Sequence, residues 1–198
     1  MLLGLDFDNT IIQYDDLFHK IACEKNLIPD DLPKEKNAVR DYLRQKNIEY
    51  EWTMIQGEVY GERIMEAVPY EGMLKTLRAF ADKKIPIIII SHKTREPYLG
   101  PKSDLHAAAI SWLRMNHFFE PGGLNMKKNQ IFFEMTKKEK IDRIIKTGCT
   151  HYVDDLPEIL AMIPNGINKI LFSPNREVMP GKNWTLVKSW KELKKILS

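Results

Sequence analysis

Residues 2–7 form a short apolar run, and the turn formers Asp8, Asn9 and Thr10 follow at once. That is the pattern of a buried strand stopping at the edge of a sheet. From residue 11 to about 67 the apolar positions recur at helical spacing instead: Leu17, Ile21 and Ala22, then Val39, Tyr42 and Leu43, then Trp52, Ile55, Val59 and Ile64. Strand signals are absent over this stretch. Connectors at 27–32 and 47–50 divide it into roughly three helices, the second opened by Asp30 or Asp31 ahead of Pro33.

After Pro69 the pattern alternates between helix and strand, which predicts a parallel sheet covered by helices on both faces. A helix is expected over 72–84 and a second strand over 85–90, where Ile-Pro-Ile-Ile-Ile-Ile is apolar on both faces and belongs in the centre of a sheet. Ser103 is expected to cap a helix to about His117, a short strand to lie at 130–133, and Thr136 to cap a helix through Lys146 that Gly148 ends. A further strand at 150–153 runs into Asp154 and Asp155, with a helix opened by Pro157 behind it. Strands at 169–172 and 185–187 and an amphipathic helix at 188–197 complete the chain. The expected class is therefore α/β: a Rossmann-like parallel sheet core made of residues 1–12 and 68–198, with a helical insertion at 13–67.

Composition narrows the class without naming a chemistry. The 198 residues suit one ordinary domain carrying a modest insertion, and 43% hydrophobic with 29% charged residues is a globular composition. Thirty basic residues stand against 27 acidic ones spread along the chain, a net charge of +3, so the footprint of a nucleic-acid-binding surface is absent. Cys23 and Cys149 are far apart and lack neighbours at zinc-ligand spacing, which predicts free thiols in a reducing compartment. The longest apolar run is too short to span a bilayer, and the N-terminus does not read as a signal peptide. A cytoplasmic protein with no membrane partner is the expectation.

Three strands end in polar residues: Asp6 and Asp8 after the first, Ser91 after the second, Asp154 and Asp155 after a later one. Ligand sites of open parallel sheets lie outside the carboxyl ends of the strands, so the three ends can converge on one crevice. Carboxylates gathered there repel one another unless a cation sits among them, and a set of oxygen donors alone suits Mg²⁺ rather than zinc. Each feature also has a plainer reading. An Asp-x-Asp at a strand end is often a turn or cap, Ser commonly ends strands, and Asp154 and Asp155 can cap the helix at Pro157.

Asp6-Phe7-Asp8-Asn9-Thr10, an apolar strand ending in Ser91, a lysine further on, and Val153-Asp154-Asp155 together resemble the four motifs of the haloacid dehalogenase (HAD) superfamily of phosphatases. The resemblance covers the whole core, and the helical insertion lies where many members place a small α-helical cap domain. It implies that Asp6 is a nucleophile forming an aspartyl-phosphate and Asp8 a general acid and base. It also implies that Asp6, Asp154, Asp155 and the backbone carbonyl of Asp8 hold Mg²⁺, and that Ser91 bonds a phosphoryl oxygen. Thr10, His92 and Lys93 are the further candidates for substrate contact. The phosphate-site lysine is one of Lys137, Lys138 and Lys140; Lys140 has the placement usual in the family, although the frequent Lys-Pro form is missing.

The substrate so implied is a small phosphorylated metabolite. Alternatives are phosphoryl transfer to another alcohol, a nucleotide or nucleic-acid end phosphatase, and a non-catalytic module that kept the fold. Dehalogenases of the same superfamily attack carbon and do without the second acid, so Asp8 argues for phosphate chemistry.

Overall fold

A computed structural model describes residues 1–174 and 183–197; the parts of the expected core at 175–182 and 198 lie outside them. The chain divides into two compact units. One comprises Met1–Ile12, Pro69–Lys93 and His117–Ser198, the other Gln13–Val68 and Thr94–Asn116.

The first unit is built on a parallel sheet. Its strands are β1 (Leu3–Leu5), β4 (Ile87–His92), β5 (Ile131–Glu134), β6 (His151–Asp154), β7 (Asn168–Phe172) and β8 (Thr185–Val187), in the order β5-β4-β1-β6-β7-β8. The two short strands β2 (Ile12–Gln13) and β3 (Val68–Pro69) form a separate ribbon. In β4 the first four residues are isoleucines, all buried, as a strand covered on both faces requires. Alternate residues serve opposite faces. Ile88, Ile90, Tyr152 and Leu171 cluster with Ile141 and Ile144 of α6 (Lys137–Lys146) and with Ile159 and Leu160 of α7 (Pro157–Met162). On the other face Phe172 packs at 5.9 Å on Trp190 of α8 (Trp190–Leu197). Thr76 of α4 (Met73–Asp82) donates its hydroxyl to the Trp190 carbonyl at 3.2 Å.

The second unit is helical. Its elements are α1 (Asp15–Glu24), α2 (Lys36–Gln45), α3 (Glu49–Tyr60) and α5 (Leu105–Met115). An aromatic cluster fills its middle: Phe18 stacks on Trp52 at 4.9 Å and meets Tyr60 edge-on at 5.7 Å, and Tyr14 meets Tyr60 at 5.0 Å. The Arg63 guanidinium joins Glu24 and Glu66, and Arg44 grips Glu49 with two hydrogen bonds of 2.6 and 2.8 Å.

Several expected boundaries move for local reasons. The second helix starts at Lys36, behind an extended Glu35, so neither Asp30 nor Asp31 caps it. Asp104 rather than Ser103 caps α5, its carboxylate accepting the Ala107 N–H, while the Ser103 hydroxyl has no hydrogen-bond partner among the described residues. Thr136 caps α6 as expected. The helix α5, which the pattern assigns to the core, falls in the helical unit, where the Trp112 indole donates to the Ala67 carbonyl at 2.8 Å. A strand at 12–13, inside the stretch expected to be helical throughout, escapes notice because two residues carry no period. Among the described residues no helix is long and apolar enough to cross a membrane.

Gly4 sits in the middle of β1, and a Cβ there would lie 2.6 Å from Tyr152 Cδ2 and 2.7 Å from Cys149 Sγ. Both neighbours are buried. Gly4→Ala is therefore expected to cost about 1–3 kcal/mol through overpacking. The urea midpoint of the variant checks this, and a value equal to wild type would refute the tight approach of β1 to β6.

Candidate active site

Register brings the three polar strand ends together. Leu5 of the central strand β1 pairs with Ile89 of β4 on one side and with Val153 of β6 on the other. Asp6, one residue on, donates its backbone N–H to the Val153 carbonyl at 2.9 Å. It therefore stands level with Asp154, with Ser91 at the end of β4. The chain leaves β1 towards neighbours on opposite sides, which is the switch point where open α/β sheets place ligands.

At that point Asp6 is buried and its carboxylate is held on one oxygen. Oδ1 accepts the Ser91 hydroxyl at 2.8 Å and the Lys140 ammonium at 2.6 Å. Oδ2 accepts no hydrogen bond among the described residues. Lys140 is 2% exposed and also reaches Asp154 Oδ2 at 2.6 Å, so one buried ammonium bridges the two carboxylates. The other Asp154 oxygen accepts the Leu156 N–H at 2.9 Å. Lys137 and Lys138 lie outside this cluster, paired at the surface with Glu158 and Asp142. Of the three lysines left open by the sequence, the geometry brings only Lys140 to Asp6. The Thr136 cap starts α6 four residues earlier, which sets Lys140 on the turn facing the sheet.

Electrostatics follow from burial. The carboxyl of Asp6 is pushed up to about 7: loss of water is the largest cause, the Lys140 charge opposes it, and Asp154 and Asp8 add to the rise. Burial also works against the Lys140 ammonium, but the charges of Asp154 and Asp6 outweigh it and hold the group well above the usual lysine value. The Lys140 ammonium lies 5.7 Å over the ring of Tyr152, whose hydroxyl donates to the Ile90 carbonyl. Tyr152 gave no sequence signal, because an aromatic inside an apolar strand reads as core.

Asp8 lies just beyond, its side chain 21% exposed. The ammonium of Lys93 is 3.0 Å from each of its two oxygens. Lys93, expected as a substrate contact, is thus buried against Asp8. His92, expected beside it, is partly buried with its ring committed to the Met135 carbonyl at 3.1 Å; burial chiefly, with Lys140 and Lys137, lowers its pKa. Thr10, expected at the substrate, is buried like Asp6 and Ser91; its carbonyl accepts the Trp190 indole N–H at 3.1 Å, and its hydroxyl has no hydrogen-bond partner among the described residues. Asn9, just before it, is in the left-handed region at φ 56°.

Asp6, Asp154 and Asp155 each offer a carboxylate oxygen within 4.8 Å of the others. This donor set, oxygen only and negative in excess, fits a hard divalent cation such as Mg²⁺. Asp8 offers its carboxylate to Lys93 and is outside this cluster of side chains.

Comparison with solved structures identifies the fold. The chain superposes on a putative phosphatase from Clostridium difficile with a TM-score of 0.63 at 13% identity, covering 100% of this chain and 98% of that one. An HAD family hydrolase from Deinococcus radiodurans R1, whose crystal holds phosphate and sodium, gives 0.56 at 14% identity over 99% and 94%. A dehalogenase gives 0.56 at 13% identity over 98% and 96%. No protein-family model and no curated protein matches the chain. At these identities the likeness establishes the fold: the chain has the HAD-like α/β architecture.

In metal-free protein the raised Asp6 binds its proton more tightly in the folded state than in the unfolded chain. Its contribution to stability is present in full below pH 3.8 and is lost as pH rises through about 7. In chelator, the urea midpoint of wild type relative to Asp6→Asn is expected to fall over that window. A difference that stays flat with pH would sink the assignment.

Proposed function

We propose that the protein is a Mg²⁺-dependent phosphatase acting on a small phosphate monoester through an aspartyl-phosphate on Asp6. The observation that carries this reading is the state of the Asp6 carboxylate. One oxygen is tied by Ser91 and Lys140, which fixes the group, and the other accepts no hydrogen bond among the described residues, which supports its reading as the attacking atom. The same bonds are arranged for phosphoryl transfer, in which position and charge do most of the work.

In the first half-reaction, Asp6 Oδ2 bonds to phosphorus as the bond from phosphorus to the ester oxygen breaks. The departing oxygen takes a proton from the carboxyl group of Asp8. In the second half, the Asp8 carboxylate takes a proton from water as the water oxygen bonds to phosphorus and the bond from phosphorus to Asp6 Oδ2 breaks, releasing inorganic phosphate and the Asp6 carboxylate. Ser91 and Lys140 lie against Asp6, where a hydroxyl and an ammonium can each bond a phosphoryl oxygen as charge shifts onto it. Asp6, Asp154, Asp155 and the Asp8 carbonyl would hold Mg²⁺, which offsets negative charge between the carboxylates and the phosphoryl group. Lys140 serves twice in this scheme, since it also keeps Asp6 and Asp154 from repelling each other.

A second reading comes from the dehalogenase among the structural neighbours, which has a similar TM-score. Attack on a carbon–halogen bond needs the nucleophile but no second acid. The presence of Asp8, gripped by its own lysine, favours the phosphate reading.

The test is hydrolysis of p-nitrophenyl phosphate followed by a panel of sugar phosphates, nucleotides, an oligonucleotide end and a 2-haloacid. Turnover of phosphate esters is expected with Mg²⁺, abolished by chelator and restored by the metal. Asp6→Asn is expected to lower it by at least about 1,000-fold, as loss of a covalent nucleophile does. Halide release without phosphate release would favour the dehalogenase, and inertness towards every ester and the haloacid would leave a binding module.

A further inference from the structure

Lys93, a candidate substrate contact in the sequence, has no part in the phosphatase scheme above. It is 4% exposed, and its ammonium stands 3.0 Å from both oxygens of Asp8, a symmetric grip on one carboxylate. The stem is anchored at its base, where the Lys93 N–H donates to the Glu134 carbonyl at the end of β5 at 2.9 Å. Its ammonium also lies 5.6 Å over the ring of Phe7, the residue between Asp6 and Asp8. Phe7 is itself fully buried and set edge-on against Phe133 of β5 at 5.8 Å. The lysine is therefore fixed at its backbone, along its side chain and at its charged end.

Asp8, by contrast, keeps 21% of its side chain open to solvent. Lys93 covers it from within the protein and leaves its outer part for a reacting group. A carboxyl group that hands a proton to a leaving oxygen gains from a fixed orientation, because a small misplacement of the donor lowers the rate steeply. An Asp side chain on a turn has two free rotations, and the turn here includes the left-handed Asn9.

We propose that Lys93 is a positioning residue for this reaction: it holds Asp8 aimed at the ester oxygen and at the hydrolytic water, and acts through Asp8 rather than on the phosphoryl group. The proposal rests on the phosphatase reading above. It assigns Lys93 a function distinct from that of Lys140, which touches the nucleophile.

The experiment is a double-mutant cycle read on two aryl phosphates. Wild type, Lys93→Met, Asp8→Asn and the combined variant are assayed on p-nitrophenyl phosphate, whose leaving group departs readily, and on phenyl phosphate, whose leaving group needs a proton. General acid assistance is worth about 100- to 10,000-fold, and loss of its aim is expected to forfeit part of that. Lys93→Met should therefore lower kcat/KM, which reports the steps through the first phosphoryl transfer, at least about tenfold more on phenyl phosphate than on p-nitrophenyl phosphate. In the Asp8→Asn background the same change should have no further effect. Lys93→Arg should recover part of the loss, which a purely structural role in packing would not predict. The combined variant, lacking both charges, leaves no unpaired buried group and keeps the cycle interpretable where Lys93→Met alone unfolds.

Equal losses of kcat/KM on the two esters overturn the proposal, as does a rise in KM with kcat unchanged, or a full additional loss in the Asp8→Asn background. Those outcomes leave the phosphatase reading standing, since wild type is active in each. A wild type inert on both esters overturns that reading and this proposal with it.

Discussion

The buried Lys140 ammonium between Asp6 and Asp154 is the interaction on which the arrangement of the core depends. A parallel sheet whose central strand lies between β4 and β6 forces their carboxyl ends together, and this chain ends two of those strands in aspartate. Two carboxylates with almost no exposed surface would each lose several kcal/mol of hydration without a partner. Lys140 makes two contacts of 2.6 Å and so serves both at once. Its delivery requires α6 to begin at the right height over the sheet, which the Thr136 cap provides, and to pack by Ile141 and Ile144 on the core. Removing one member of such a set typically costs about 3–5 kcal/mol, because the remaining charge is left buried and alone. Site and fold are held by the same bonds.

Much of this was legible in the chain because it obeyed short-range rules. The five buried residues that open β4 and the polar residues closing β1, β4 and β6 mark both the sheet and the edge where those residues gather. The fold class, and the convergence of Asp6, Ser91, Asp154 and Asp155, follow from strand order alone once β1 is central. The choice among Lys137, Lys138 and Lys140 was not, since all three lie on the first turns of one helix and differ only in which way they face. Tertiary packing decides that, and Lys140 is the one whose neighbours Ile141 and Ile144 place it inward. The place of α5 in the helical unit was hidden because a helix pattern reports a buried face and not which partner buries it.

The two lysines divide the acids between them by exposure. Lys140 meets Asp6 and Asp154, both nearly sealed from solvent, whereas Lys93 meets Asp8, which is partly open. A nucleophile gains from seclusion: without competing water, its charge interactions are stronger and its attacking oxygen is not hydrated. A group that must pass protons to a departing oxygen and take them from water cannot be sealed in the same way. In the proposed scheme the two aspartates, only two residues apart, differ in task as they differ in exposure, and each meets its own lysine.

Charge inventory carries the same logic to the metal. Asp6, Asp8, Asp154 and Asp155 oppose Lys93 and Lys140, so the fully ionised site holds two negative charges more than positive ones. A divalent cation matches that excess, and the oxygen donors are of the kind it prefers. Without it the protein can shed charge only by protonation, and Asp6, whose carboxyl burial pushes to about 7, is the group that takes the proton. Protonated, Asp6 is a poor nucleophile. In the proposed scheme a cation that restores its charge would do more than hold a substrate phosphate: it would set whether the attacking group exists in its reactive form near neutral pH. Dependence on metal and dependence on pH would then be two views of one electrostatic requirement, imposed when the sheet gathered these carboxylates at its edge.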